Sequence, residues 1–179
     1  MKLLTVVSRW AELLPGWSVA QGLQETRKAA ERGDAKAQFS LGVMYDSGQG
    51  VPQDYAEALR WFRKAADQGH TSAQFNLGVM YANGQGVPEN AAEGVRWYRK
   101  AADQGDALAQ VELGRIYAEG QGVPQDYATA HMWLSLASAE FGEVFFAKER
   151  DVVAQKMTRE QLAEAKRLAR EWKPKPEVK

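Results

Sequence analysis

The 179-residue chain contains no cysteine and only two histidines. Without cysteine it has no disulfide and no thiolate ligand, so the redox compartment is left open. Two histidines without cysteine also make a zinc or iron–sulfur centre a poor fit to the composition. The sequence therefore predicts neither a metal site nor a bound cofactor.

The chain also lacks an excess of charge and a long apolar run. Its 23 Lys and Arg residues balance 23 Asp and Glu residues, and its pI is near 6.8. A neutral chain exerts no long-range attraction on nucleic acid or anionic lipid. No stretch of about 18 apolar residues is present, so no membrane span is expected. We expect a protein or peptide partner, with no nucleic acid and no membrane span.

Residues 1–20 allow two interpretations. Lys2, the apolar run "LLTVV" and the small residues before Gln21 resemble a secretory signal cleaved between Ala20 and Gln21, which would make the protein periplasmic or secreted. Arg9 and Glu12 interrupt that apolar region, however, and the apolar residues also recur at helical spacing. We favour a retained N-terminal capping helix and a cytoplasmic protein, with export as the alternative.

The letters GQGVP occur three times, beginning at Gly48, Gly84 and Gly120, so the chain repeats every 36 residues. Residues 29–64 and 65–100 share most of their letters, and residues 101–136 keep the same frame. A fixed period of this length is typical of solenoid proteins, in which each unit buries its apolar surface only against its neighbours. The repeat is therefore predicted to be a structural unit.

Each repeat contains two helical patterns. In the first repeat, Ala37, Leu41 and Tyr45 fall on one face of a first helix. The second helix has an apolar face that includes Trp61, which needs a neighbour as small as Ala37 or Gly42. Neither helix can bury its face alone. The pattern predicts an all-α stack of helix hairpins.

The GQGVP segment is predicted to join the two helices of a hairpin. Gly48 and Gly50 can adopt the positive φ angles of a helix exit, and Pro52 suits the approach to the next helix. Asp54 with Glu57 has the spacing of a capping box. A phosphate-binding loop would need a preceding strand and a third glycine, which this segment lacks.

Dissimilar segments flank the repeats. The solenoid is predicted to cover residues 21–142, as a half unit followed by repeats 29–64, 65–100 and 101–136. Residues 143–172 are predicted to form C-terminal capping helices, with a capping box at Thr158 and Gln161. Residues 173–179, "KPKPEVK", are expected to be a disordered tail.

The pattern A-x-x-x-L-G-x-x-Y-x-x-G-x-G-V, followed by A-x-x-W-x-x-x-A, resembles the Sel1-like repeat family, which is related to the tetratricopeptide repeats. The resemblance covers residues of about 17 to 140. It implies a right-handed α/α superhelical solenoid that binds proteins as an adaptor, a chaperone-like module or a regulatory scaffold. The family has no shared catalytic residues, so no catalytic residue is predicted. This chain lacks the cysteines of the family's disulfide-stapled secreted members.

The two histidines do not suggest catalysis. His70 occupies the position of Asp34 and Asp106 at the start of a first helix, which indicates a helix cap. His131 replaces Leu59 and Val95 on a second helix. With no nucleophile in a nearby motif, a packing or interface role is favoured for His131.

One stripe of the first helix differs between the repeats, while the neighbouring Ala, Leu and Tyr stripe is fixed. We predict that this first-helix stripe lies on the concave face and binds a peptide or protein surface. Mere exposure without a partner is the alternative. The stripe consists of Lys36, Ser40, Val43 and Ser47, then Ser72, Asn76, Val79 and Asn83, then Leu108, Glu112, Arg115 and Glu119.

Two other functions remain open from the sequence. An immunity or inhibitor protein that neutralises a toxin or enzyme would use the same kind of surface. A hydrolytic enzyme is less favoured, because it would need converging polar groups that no motif of this chain supplies.

Overall fold

The computed structural model describes residues 19–141 and 143–175, which form nine α-helices and no strand. Residues 1–18, where most of the proposed capping helix or signal falls, and residues 176–179 lie outside the described residues. The helices are α1 (Val19–Glu31), α2 (Ala35–Ser47), α3 (Tyr55–Asp67), α4 (Thr71–Asn83), α5 (Ala91–Asp103), α6 (Ala107–Glu119), α7 (Tyr127–Phe141), α8 (Glu143–Ala154) and α9 (Arg159–Glu171).

The helix starts follow the 36-residue period over the whole of α1 to α8. Second helices begin at residues 19, 55, 91 and 127, and first helices begin at residues 35, 71, 107 and 143. Helix α8 therefore takes the place of a first helix in a fourth unit, although its letters no longer match the repeat. Helix α9 begins four residues earlier than the period would place it, because no GQGVP segment precedes it.

Packing joins each helix to its neighbours in the chain. Helices α2 and α3, α4 and α5, and α6 and α7 pair as hairpins, while α1 packs on α2, α3 on α4 and α5 on α6. Helix α9 packs on α7 and closes the stack. Leu41, Leu77 and Leu113 are fully buried at equivalent positions, and burial of such a side chain contributes about 1.5–3 kcal/mol. The all-α solenoid prediction is confirmed.

A glycine in each first helix makes room for a large side chain of the second helix. A Cβ built on Gly42 would lie 2.6 Å from the ring of Phe62, and one on Gly78 would lie 2.5 Å from the ring of Tyr98. At Gly114 the neighbour is Leu134. Trp61 lies in a different cluster, where it packs with Ala37 among the surrounding side chains. Of the two small neighbours expected for Trp61, Gly42 instead accommodates Phe62.

The GQGVP segment connects the hairpin and also contacts the preceding repeat. Gly48 ends α2 with φ 72°, and its N–H donates to the carbonyl of Met44. Gly86, with φ 69°, lies so close to the preceding unit that an added Cβ would be 2.4 Å from the carbonyl oxygen of Tyr55. Glycine is required there for both reasons, since other residues rarely adopt that φ and have no space.

The helix caps differ in detail from the expected capping boxes. Asp54 accepts from the N–H groups of Ala56 and Glu57, but its own N–H donates to the carbonyl of Tyr45 at 2.9 Å. The Asp54 N–H is thereby satisfied by the first helix, and Glu57 pairs with Arg60 instead. At Thr158 and Gln161 both halves of the predicted box are present.

A relay of glutamines ties each unit to the next. The buried Gln74 donates from Nε2 to the carbonyl of Ala66, near the end of α3, at 3.2 Å. Its Oε1 accepts from Nε2 of Gln104 at 2.7 Å. Gln38 and Gln68 form the same contact one unit earlier. The relay gives a second hydrogen bond to buried carbonyls at helix ends, which also accept from the N–H of the glycine that follows the helix.

Candidate functional site

The first-helix stripe lies on the surface of α2, α4 and α6. Eight of its twelve side chains are exposed and four, which are Val43, Asn76, Val79 and Glu112, are half-buried. Val43 and Val79 pack against the core clusters beneath them. Leu108 is 49% exposed. The stripe thus presents polar, charged and apolar groups on a rigid helical support.

A groove opens between α2 and α4 and includes three stripe residues. We name it the α2–α4 groove; its volume is about 220 Å³. Asn76, Val79 and Asn83 line it from α4, with Asp46 on the α2 side and Phe62 from α3. Burial raises the pKa of the Asp46 carboxyl. The groove offers amide donors and acceptors beside apolar surface.

A larger groove of about 370 Å³ lies between α6 and α8, two units further on. In this α6–α8 groove, Leu134 stands in the place that Phe62 has in the α2–α4 groove, 72 residues earlier. Val152 of α8 is 46% exposed at the α6–α8 groove. The two grooves are therefore equivalent gaps between successive first helices, and the smaller Leu134 accompanies the larger gap.

Charged residues surround the α6–α8 groove. Arg115 of the stripe donates to Glu149 of α8 from Nε at 3.0 Å and from Nη2 at 2.8 Å, and to Glu112 from Nη1 at 2.9 Å. The hydrogen bond from Arg115 lowers the pKa of Glu149, as expected for a carboxylate beside a fixed cation. Lys148 and Lys156 add positive charge to the same groove.

The structure therefore brings stripe residues together with side chains that the sequence did not single out. Glu149, Lys148 and Val152 share the α6–α8 groove with Arg115 and Glu119. The signal that would have found them is the period itself, since α8 begins 36 residues after α6. The amino-acid sequence of α8 differs from that of the other first helices, which concealed its place in the repeat.

Between the two grooves, the stripe runs over a buried tyrosine. Tyr98 is 4% exposed and packs against Phe75 with ring centroids 5.7 Å apart. Burial, assisted by the negative charge of Glu112, raises the pKa of the Tyr98 hydroxyl. Tyr98 therefore stays neutral and provides packing rather than acid–base chemistry.

The two histidines lie apart from the stripe. His70 caps α4, because its Nδ1 accepts from the N–H of Ala73 at 3.4 Å. Its ring also stacks on that of Phe39, with the ring centroids 4.6 Å apart. The predicted capping role of His70 is thus seen directly. His131 is buried in α7, 5% exposed.

Two kinds of site are absent from the part of the chain that the structure describes. Within residues 19–141 and 143–175, no group of three or more His, Asp or Glu side chains is placed to hold a metal ion. Over the same residues, no helix has both the length and the apolar character needed to cross a bilayer.

The fold and the exposed stripe define the class of α/α solenoid repeat proteins. The Sel1 repeat family matches residues 35–70, 71–106 and 107–140, more than half of the chain. The chain belongs to the Sel1 repeat family. Sel1-like repeat proteins generally mediate protein–protein interaction, and their fold is typically a non-catalytic scaffold.

Solved structures of bacterial repeat proteins are similar to this chain. A Sel1 repeat protein from Oxalobacter formigenes is 39% identical with a TM-score of 0.63, over 66% of this chain and 49% of that one. The protein c5321, a protective antigen of uropathogenic Escherichia coli with an SLR fold, is 31% identical with a TM-score of 0.64, over 90% of this chain and 42% of that one. The chain thus spans half or less of each of these proteins. No curated protein matches it.

Proposed function

We propose that this protein is an adaptor or regulatory scaffold that binds a peptide or protein surface through the first-helix stripe on the concave side of the solenoid. The observation that carries the proposal is the pair of equivalent grooves, α2–α4 and α6–α8, which both open beside stripe residues. A partner segment lying across the first helices would meet both grooves.

The chemistry of the two grooves differs, which favours a specific partner. The α2–α4 groove offers the amides of Asn76 and Asn83. The α6–α8 groove offers aliphatic surface at Val152, bordered by the ion pair of Arg115 with Glu149. Apolar anchors give affinity and polar groups fix register at such surfaces. A segment with an aliphatic anchor at one end and hydrogen-bonding groups at the other complements this arrangement.

The test is a charge swap that inverts the surface but preserves the ion pairs. The triple variant Glu112→Lys, Arg115→Glu, Glu149→Arg keeps one cation–carboxylate contact across α6 and α8 with opposite polarity. The matched control is Glu57→Lys with Arg60→Glu, which swaps an ion pair on α3. Partners are captured from the native host with each protein, identified by mass spectrometry and then measured by calorimetry against the purified variants.

We expect a partner that the wild type and the α3 control both capture and that the triple variant loses, with melting temperatures within a few degrees of each other. A partner that the triple variant still captures but the α3 control does not would place binding on the second helices and contradict the proposal. Binding of every captured partner with unchanged affinity by both variants would remove the α6–α8 groove as the binding surface.

A further inference from the structure

The chain that leaves α9 returns to the repeats and packs against the end of α5. Trp172 anchors its start, because its ring contacts that of Trp133 on α7 with the ring centroids 6.4 Å apart. The backbone N–H of Lys175 then donates to the carbonyl of Asp103 at 2.6 Å. The Nζ of Lys175 also lies 2.6 Å from Oδ2 of Asp103. The solenoid thus binds a segment of its own chain through both the backbone and a side chain.

The sequence of this segment keeps it extended. Pro174 fixes its own φ near about −65°, and Pro176 disfavours the helical conformation at Lys175. Pro174 lies against Gly105, where an added Cβ would be 3.8 Å from the Cβ of the proline. A segment that is extended in advance loses little conformational entropy when it docks.

A groove of about 370 Å³ runs from this segment to the preceding unit. We name it the helix-end groove, because Asp67 and Asp103, the last residues of α3 and α5, both line it. Ala66 and Gly69 add surface without bulky side chains, and Lys175 itself forms part of the wall. No residue of the first-helix stripe lines this groove, so it is separate from the surface proposed above.

The helix-end groove contains two charges without an ion-pair partner among the residues that the structure describes. Asp67 and Asp103 are equivalent positions 36 residues apart, but Asp103 is half-buried beneath Lys175 and Asp67 is exposed. No described cation pairs with Asp67, and no described donor reaches its carbonyl. Lys100 also lines the groove, with Nζ 3.9 Å from the ring centroid of Trp97, and no described carboxylate pairs with it.

The residues that follow Lys175 have the charges and the reach to complement this groove. Residues 176–179 read PEVK, which supplies a carboxylate, an aliphatic side chain and a cation. Extended chain advances about 3.3 Å per residue, so Lys179 can lie about 13 Å beyond Lys175. Trp97 of α5 packs into the cluster formed by α3, and such neighbouring helices lie about 8–10 Å apart. Four residues therefore suffice to pass from the end of α5 to the end of α3.

We propose that residues 176–179 dock in the helix-end groove of the same chain, where Glu177 pairs with Lys100 and Lys179 pairs with Asp67. The contact at Asp67 repeats, one unit earlier in the solenoid, the lysine–aspartate contact that the structure shows at the end of α5. The two lysines of the segment thus occupy equivalent acidic helix ends.

The docked segment links the C-terminal cap to the middle of the solenoid. Each exposed ion pair contributes little alone. The contact of Lys175 with Asp103 already holds the segment at the groove, however, so the further contacts form within one chain at a high effective concentration. The segment covers the groove and excludes any other extended segment with the same pattern of charges.

The experiment measures the backbone order parameters of residues 177–179 by NMR relaxation in the full chain. A docked segment gives a value of about 0.8, and a free one gives a value below about 0.6. We expect Lys179→Glu, which brings a second negative charge to Asp67, to lower the order parameter of Val178 from the first value to the second. The amide resonance of Gly69 in the groove should shift at the same time.

Two further variants make the test specific. Lys173→Glu makes the same charge change on an exposed side chain of the same segment, and it should leave the order parameter of Val178 unchanged. Adding Asp67→Lys to Lys179→Glu restores opposite charges at this contact, so the order parameter should recover. Melting temperatures within a few degrees of wild type show that each variant is folded.

Three results would overturn the proposal. The first is a set of wild-type order parameters below about 0.6 at residues 177–179, since such a segment is not docked. The second is failure of the double charge swap to recover the order that Lys179→Glu removes. The third is order that increases with protein concentration, because the segment would then dock on a second copy of the chain.

Discussion

Arg115 on α6 holds Glu149 on α8 through two parallel hydrogen bonds of 3.0 and 2.8 Å. Arg115 belongs to the last repeat that the sequence copies clearly, and Glu149 belongs to a helix whose letters have diverged from the repeat. The contact therefore joins the regular part of the solenoid to its C-terminal cap, across a groove that we assign to partner binding.

The first prediction concerns the strength of this contact. A double-mutant cycle with Arg115→Ala and Glu149→Ala should give a coupling free energy of about 0.5–1 kcal/mol, the upper range for an exposed pair, because the contact has two parallel hydrogen bonds. The control cycle on Arg96 and Glu93, a singly bonded pair within α5, should give about 0.3–0.5 kcal/mol. Urea unfolding measures both. A coupling at Arg115 no larger than that of the control would mean that solvent screens the contact between α6 and α8.

The second prediction is the pH dependence of the same contact. Because Arg115 lowers the pKa of Glu149 below its ordinary value of 4.5, the carboxylate stabilises the folded state above that value. The stabilisation is lost as the pH falls through the lowered pKa of the folded state. The unfolding free energy of wild type should exceed that of Glu149→Gln by more at about pH 7 than at about pH 3. A difference that is the same at both pH values would contradict the assignment.

The third prediction separates the two roles of glycine in GQGVP. Gly84 and Gly86 have similar φ angles of 66° and 69°, so alanine costs about 1–2 kcal/mol at either position from backbone conformation alone. Only at Gly86 would the new Cβ overlap the backbone of the preceding unit, 2.4 Å from the carbonyl oxygen of Tyr55. Gly86→Ala should therefore lower the unfolding free energy clearly more than Gly84→Ala does.

A control for the glycine series is Gly22, which lies inside α1 with open space around its Cβ position. Gly22→Ala should leave stability unchanged or raise it by about 0.5–1 kcal/mol, since alanine favours the helix. Equal losses for Gly84→Ala and Gly86→Ala in thermal unfolding would show that the contact of Gly86 with Tyr55 can relax at little cost.

The repeat made most of the fold predictable from sequence. A hairpin that recurs every 36 residues must bury its apolar faces against its neighbours, and the positions of Leu41 and Leu77 follow directly from that requirement. The positive φ angle of Gly48 was equally predictable, because the left-handed conformation at the end of a helix depends on few neighbouring residues.

Contacts between units were not predictable in the same way. The glutamine relay through Gln74, the approach of Gly86 to Tyr55 and the pairing of Arg115 with Glu149 each join residues about 30 positions apart. Nothing within one helix's pattern specifies such a partner. The stripe could be placed on α2, α4 and α6 from periodicity, whereas the grooves beside it depend on side-chain sizes at Phe62 and Leu134, which only packing brings together.

The fourth prediction tests the glutamine relay. Gln74 is 5% exposed and donates to the carbonyl of Ala66 while accepting from Gln104. Gln74→Leu has similar volume but removes the side-chain donor to the Ala66 carbonyl, which keeps its hydrogen bond from the Gly69 N–H, and it removes the acceptor of Gln104. The variant should therefore lower the unfolding free energy by about 1–3 kcal/mol, the contribution of two hydrogen bonds. The control is Gln49→Leu, at an exposed position of the first GQGVP segment, which should change stability by less than about 0.5 kcal/mol. Chemical denaturation compares the two, and equal effects would indicate that water replaces the relay.

The fifth prediction concerns His131, the buried histidine of α7. Burial and the positive charges of Arg150 and Lys166 lower the pKa of His131 from its ordinary value of 6.5, and the opposing charge of Asp151 does not reverse the shift. The imidazole of His131 therefore takes up a proton at a higher pH in the unfolded chain than in the folded chain. The folded state loses stability as the pH falls below about 6.5, and the loss stops once His131 is protonated in both states. His131→Leu, which restores the residue type found at Leu59, removes this loss.

The unfolding free energies of wild type and His131→Leu should differ by a constant amount above about pH 7.5 and diverge in favour of the variant as the pH falls towards 5. His70 is present in both proteins, so its own titration cancels in the difference. Parallel curves over this range would show that His131 titrates alike in the folded and unfolded chains, and that burial and the two cations leave its protonation unaffected.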